Sequence, residues 1–119
     1  MSSVAIIGAG DLGGTLAHTL AVRDRINEIR LVDDAADVAA GKALDIRQSC
    51  PIERSDLRLS TSGDLAMAIG ANVVVMADAA GPRPAEWNGE AGLARLRRVV
   101  EQDRDAVVVC AGASQRELM

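Results

Sequence analysis

The strongest constraint on the fold is a set of short runs in which every residue is apolar, each separated from the next by a longer amphipathic stretch. Val4-Ala5-Ile6-Ile7, Val73-Val74-Val75-Met76-Ala77 and Ala106-Val107-Val108-Val109-Cys110 leave no polar face. A strand of that kind is covered on both sides, as in a parallel sheet between layers of helices; an antiparallel strand with one wet face alternates instead. Residues 3–7, 28–33, 57–61, 72–77 and 106–110 read as strands, the third half-buried through Leu57, Leu59 and Thr61. Residues 11–23 carry Leu12, Leu16 and Leu20 on one helical face, and residues 35–49 have helical composition and stop ahead of Pro51. Residues 64–69 read as a short helix capped by Ser62 or Gly63, and residues 90–104 as a strongly charged helix. Residues 78–89 hold two of the 3 prolines and the only tryptophan, and read as irregular. The order β-α-β-α-β-α-β-loop-α-β predicts the α/β class, a doubly wound parallel sheet, and 119 residues fit one domain.

Composition narrows the function. An apolar content of 49% excludes a disordered chain, and no apolar run approaches the roughly 20 residues of a membrane span. The N-terminus has no basic flank and runs straight into glycines, unlike a signal peptide. Acidic residues outnumber basic ones 17 to 13, Lys42 is the single lysine, and Phe and Tyr are absent, so neither nucleic acid nor an anionic membrane is an expected partner. Cys50 and Cys110 lie far apart in ordinary apolar surroundings and read as free thiols in a reducing, cytoplasmic setting. No His, Cys, Asp and Glu spacing suggests a metal site.

The chemistry concentrates in one turn. Gly8-Ala9-Gly10-Asp11-Leu12-Gly13 leaves the first strand and opens the first helix. In a G-x-G-x-x-G turn the first glycine makes the tight bend, the second lets backbone amides approach a pyrophosphate, and the third lets helix pack closely on strand. The helix N-terminus then offers unpaired N–H groups and a positive dipole end to the phosphates. The fingerprint also needs an acid closing the second strand, and Asp33 stands there, 20 residues beyond Gly13. A carboxylate accepts both ribose hydroxyls and repels a 2′-phosphate, so NAD(H) is the expected cofactor, held by Gly8, Gly10, Asp11, Leu12, Gly13 and Asp33. Asp11 puts a negative charge close to the expected phosphates or serves only the helix dipole. The competing reading is a set of turn glycines and a strand-end aspartate with no ligand.

Gly41-Lys42-Ala43-Leu44-Asp45-Ile46, taken with the turn and with Leu31-Val32-Asp33, resembles the N-terminal NAD-binding (Rossmann) domain of the malate/lactate dehydrogenase family. The resemblance covers essentially the whole chain. It implies an oxidoreductase ancestry and a small 2-oxo or 2-hydroxy acid as substrate. It also implies a homo-oligomer formed through the helix that includes residues 41–49. Pro82-Arg83 resembles the start of the family's mobile active-site loop, which would make Arg83 the residue polarising the substrate carbonyl. The bland alternative for Gly41 and Asp45 is packing and solubility.

The departures are as informative. The family's second loop arginine falls near Asn88, its asparagine in the following helix is replaced by Arg95, and its Asn-Pro after the fifth strand corresponds to Ala111-Gly112. The chain ends where the family's C-terminal half, with its His–Asp pair, would begin. The single histidine, His18, falls opposite the leucine stripe and reads as a surface residue, not a general base. Arg95, Arg97, Arg98 and Arg104 share one helix, as a solvated face in which Arg97 reaches Glu101, or with Arg95 or Arg98 holding an anion. Trp87 covers either a bound cofactor, a partner or the sheet edge. Two functions follow: the cofactor half of a 2-hydroxy-acid dehydrogenase, not catalytic alone, or a stand-alone dinucleotide-sensing module like the nucleotide-gated regulatory domains of ion-transport systems.

Overall fold

The computed structural model describes residues 3–23, 26–49, 58–79, 85–86, 89–102 and 107–110. Its elements in chain order are β1 (Ser3–Ile7), α1 (Asp11–Arg23), β2 (Glu28–Val32), α2 (Ala36–Ser49), β3 (Arg58–Ser62), a 3₁₀ helix (Leu65–Ala68), β4 (Val73–Met76), β5 (Asp78–Ala79), β6 (Ala85–Glu86), α3 (Gly89–Gln102) and β7 (Val107–Cys110). Five strands form one sheet in the order β3-β2-β1-β4-β7, every neighbouring pair parallel. The predicted doubly wound sheet is what the chain builds.

The all-apolar strands explain the layers. Alternate residues of β1 point to opposite faces, and each face has its own core. Val4 and Ile6 join Ala17, Ala21, Ala39, Ala43 and Ile46 beneath α1 and α2, while Ala5 and Ile7 join Ala68, Val74, Met76 and Val99 beneath the 3₁₀ helix and α3. Ile6, Ile7, Ile29, Leu31 and Val74 are fully buried, so the core is aliphatic, in keeping with a chain lacking Phe and Tyr.

Two expectations need correcting, and the leucine face of α1 needs completing. The face of α1 that sinks deepest is Gly13, Ala17 and Ala21, with Leu12, Leu16 and Leu20 half-buried beside it. Small residues win that face because they bring the helix axis nearest the sheet. The short helix is capped by neither Ser62 nor Gly63: the Asp64 carboxylate accepts the Ala66 N–H at 2.9 Å, and Ser62 Oγ accepts the Asp64 N–H. The stretch after β4 is not wholly irregular, since Asp78–Ala79 pairs antiparallel with Ala85–Glu86. Leu57 and Cys50 lie outside the described residues.

The topology fixes where a ligand goes. From β1 the chain crosses by α1 to β2 on one side, and β4 lies on the other. Crossovers that leave in opposite directions open a crevice at the carboxyl ends of the strands between them, here β1 and β4.

Candidate functional site

The turn at residues 8–13 sits at that crevice. Gly8 has φ of +119°, in the left-handed region, and a Cβ there would stand 2.1 Å from the Asp78 carbonyl oxygen. Only glycine fits such a position. The Gly8 N–H donates to the Val32 carbonyl at 2.7 Å, joining the turn to the end of β2. At Gly13 a Cβ would lie 1.8 Å from the Gly8 carbonyl oxygen and 3.4 Å from the Ala77 Cβ. The bend and the close helix–strand approach expected of these two glycines are both present.

Asp33 is buried at the carboxyl end of β2. Its Oδ2 accepts the Ala9 N–H at 2.8 Å and its Oδ1 accepts the Ala35 N–H at 2.8 Å, so the carboxylate is held between the glycine turn and the start of α2. Hydrogen bonds to a charged acceptor are the stronger kind, worth about 1.5–3 kcal/mol each, and two of them fix the rotamer. The fingerprint acid thus stands beside the fingerprint turn.

One further residue belongs to this turn, although it stands in the stretch 78–89 whose sequence predicts irregular structure. Asp78, first residue of β5 and buried, turns its side chain onto the start of α1. Its Oδ2 accepts the Leu12 N–H at 2.9 Å, its Oδ1 accepts the Gly13 N–H at 2.7 Å, and its backbone carbonyl accepts the Gly10 N–H at 3.0 Å. The expectation that these amides stand open toward a phosphate is therefore corrected: an internal carboxylate holds those of Leu12 and Gly13. A sequence signal did exist. Asp78 follows an all-apolar strand much as Asp33 does, and in a parallel sheet that end of the strand is the ligand-binding end.

The rim beyond Asp33 is closed by α3. Arg95 donates to Asp34 at 2.6 Å, and Arg98 lies 3.8 Å from Asp64. Two hollows share Asp34, Leu65 and Arg95 as walls: one of about 20 Å³ reaching Ile7, Val32 and Asp33, and one of about 300 Å³ reaching Gly63, Asp64 and Arg98. Arg95 and Arg98 thus clasp α3 to the loops after β2 and β3, a use that neither sequence alternative gave them. Arg97 and Glu101 are both exposed, and no ion pair joins them among the described residues.

Asp11 is exposed, and with His18, Lys42 and Asp45 it lines a separate groove of about 300 Å³ between α1 and α2. His18 is exposed. Gly41 is exposed, with open space where a side chain would go. Arg83, Asn88, Trp87, Arg104, Ala111 and Gly112 lie outside the described residues. Among the described residues no group of three or more His, Cys, Asp or Glu side chains could hold a metal ion. The Cys110 thiol is free and half-buried, and burial pushes its pKa up.

A glycine turn closed between first strand and first helix, at the switch point of a parallel sheet and beside a strand-end acid, defines a dinucleotide-binding α/β domain. Residues 2–87 match the family described as lactate/malate dehydrogenase, NAD binding domain, and the chain belongs to that family. It is 36% identical over 73 residues to the malate dehydrogenase of Neorickettsia sennetsu, an alignment that takes in 61% of this chain and 23% of that relative. Among solved structures, malate dehydrogenase from Salinibacter ruber superposes with a TM-score of 0.69 at 28% identity, over 93% of this chain and 36% of that one. The lactate dehydrogenase of Cryptosporidium parvum, complexed with lactic acid and nicotinamide adenine dinucleotide, superposes with a TM-score of 0.71 at 24% identity, over 92% and 36% of the two chains. The last likeness is one of fold.

Proposed function

We propose that this chain binds NAD(H) at the carboxyl ends of β1, β2 and β4, as the cofactor half of a malate/lactate-type dehydrogenase. Asp33 accepts the adenosine ribose hydroxyls, and the diphosphate lies against the turn through Gly8, Gly10, Leu12 and Gly13, whose last two amides Asp78 holds in the free chain, with Asp11 at its edge. The observation that carries this reading is the Asp33 carboxylate, fixed by the Ala9 and Ala35 amides against the left-handed Gly8 turn. Its negative charge favours a free 2′-hydroxyl over a 2′-phosphate, which makes NAD(H) the preferred form.

When bound, the nicotinamide supplies or accepts a hydride. In this proposal the partner is a 2-oxo or 2-hydroxy acid, with Arg83 polarising its carbonyl. In this proposal these 119 residues alone do not complete that reaction, because their one histidine is exposed on the groove between α1 and α2. A stand-alone sensing module would use the same site with no chemistry at all.

Titration with NADH and NADPH, followed by calorimetry and thermal melting, tests the reading. Saturable NADH binding that is lost in Asp33→Ala and much weaker for NADPH is expected; indifference to both nucleotides would overturn it. Reduction of oxaloacetate or pyruvate by this chain alone would contradict the non-catalytic part.

The family's subunit contact is proposed for α2, which leaves Val38 and Leu44 exposed at 40% and 53%; sedimentation velocity tests for the homo-oligomer. The free Cys110 thiol supports a reducing, cytoplasmic setting. Among the described residues no helix is long and apolar enough to cross a membrane.

A further inference from the structure

The Asp78 carboxylate holds two backbone amides of the glycine turn that the reading above gives to a diphosphate. An ordinary helix cap comes from the residue just ahead of the helix and reaches the second or third amide. Asp78 lies 65 residues beyond Gly13, on the strand extension at the other wall of the crevice. It meets two successive amides of α1 with its two oxygens, at 2.9 and 2.7 Å, and its own carbonyl takes the Gly10 N–H. Two oxygens of one negative group, on adjacent N–H donors at the positive end of a helix, is the contact a phosphate makes there. The residue is buried, 5% exposed.

We infer that Asp78 is a built-in competitor of the cofactor's diphosphate. This rests on the NAD(H) reading above and adds a regulatory contact to it. An anion cannot use the Leu12 and Gly13 amides while the carboxylate holds them, and a diphosphate placed beside Asp78 would meet like charge at close range. NAD(H) therefore enters by displacing the Asp78 side chain, and only the displaced fraction of molecules binds. Apparent affinity is lowered by the inverse of that fraction. The adenosine end, which rests on Asp33, is untouched by the competition.

The experiment is calorimetric titration of the 119-residue chain with NADH, inorganic diphosphate and adenosine, comparing wild type, Asp78→Ala, Asp78→Asn and Asp33→Ala. Asp78→Asn keeps the volume and one acceptor while removing the charge, so it decides the matter if Asp78→Ala does not fold. Both Asp78 variants are expected to bind NADH and diphosphate about ten-fold or more tightly than wild type, with adenosine affinity unchanged. NADH binding that disappears in Asp33→Ala yet is equal or weaker in the folded Asp78 variants would overturn the competitor and leave the cofactor site standing. No NADH binding by any of the four proteins would overturn both.

Discussion

At residue scale the site is a set of backbone constraints with one carboxylate on each side. Gly8→Ala asks a side chain to adopt a φ of +119° and to stand 2.1 Å from the Asp78 carbonyl oxygen. It is expected to cost about 3 kcal/mol or more in a urea melt, in the range reserved for strain at special backbone positions. Gly41→Ala makes the opposite test. That glycine lies inside α2, exposed, with nothing within 4 Å of a new Cβ, so alanine should stabilise the chain by up to about 1 kcal/mol. Asp78→Ala should do two things in opposition: tighten NADH, and lower the stability of the free chain by about 1–2 kcal/mol through loss of the contact at the start of α1. The Cys110 thiol, pushed up by burial, keeps its proton more firmly in the folded chain than in the unfolded one. That raised value makes stability fall as pH rises past the ordinary thiol range toward the folded one, and below that range the effect vanishes. Alkylation at mildly alkaline pH should accordingly run faster on the unfolded chain.

At the scale of elements, α1 and α3 are attached to the sheet by different means. The face of α1 that meets β1 is Gly13, Ala17 and Ala21, and Ala17 is completely buried. Ala17→Leu would push the helix off the sheet, with an expected cost of about 1–3 kcal/mol by chemical denaturation. α3 buries Val99 fully and adds two ion pairs at its rim, Arg95–Asp34 and Arg98–Asp64. Asp34 and Asp64 are well exposed, so Arg95→Ala should change stability by less than about 1 kcal/mol, a difference that added salt removes. These two attachments show how far the sequence could be read. Runs without a polar residue marked β1, β4 and β7 to within a residue or two, full burial accounting for β1 and most of β4, whereas β7 leaves Val107 and Val109 exposed. The leucine face of α1 was legible, since Leu12, Leu16 and Leu20 pack against the core, but hydrophobicity alone does not reveal that close approach selects Gly13, Ala17 and Ala21 for the deepest positions. β5 and β6 are too short to leave any period. The placing of Asp33 beside the glycine turn was legible from spacing, whereas the Asp78 contact depends on a partner 65 residues away, which local pattern cannot report.

At the scale of the whole molecule, five parallel strands with a helical layer on each face make one sheet whose ligand end carries all the chemistry described above. A ligand that binds only the folded chain stabilises it by mass action, by about 2.7 kcal/mol when free ligand exceeds its dissociation constant a hundred-fold. NADH at that excess should raise the midpoint of thermal unfolding by several degrees, and the rise should be absent in Asp33→Ala. The order β3-β2-β1-β4-β7 also has a temporal meaning. β1, synthesised before the other four strands of the sheet, is the central strand, and one of its two hydrogen-bonded edges is reserved for Val73–Met76. A ribosome adding about 5–20 residues each second therefore leaves that edge of β1 open for several seconds, an interval in which a chaperone or another nascent chain meets a bare row of amides and carbonyls.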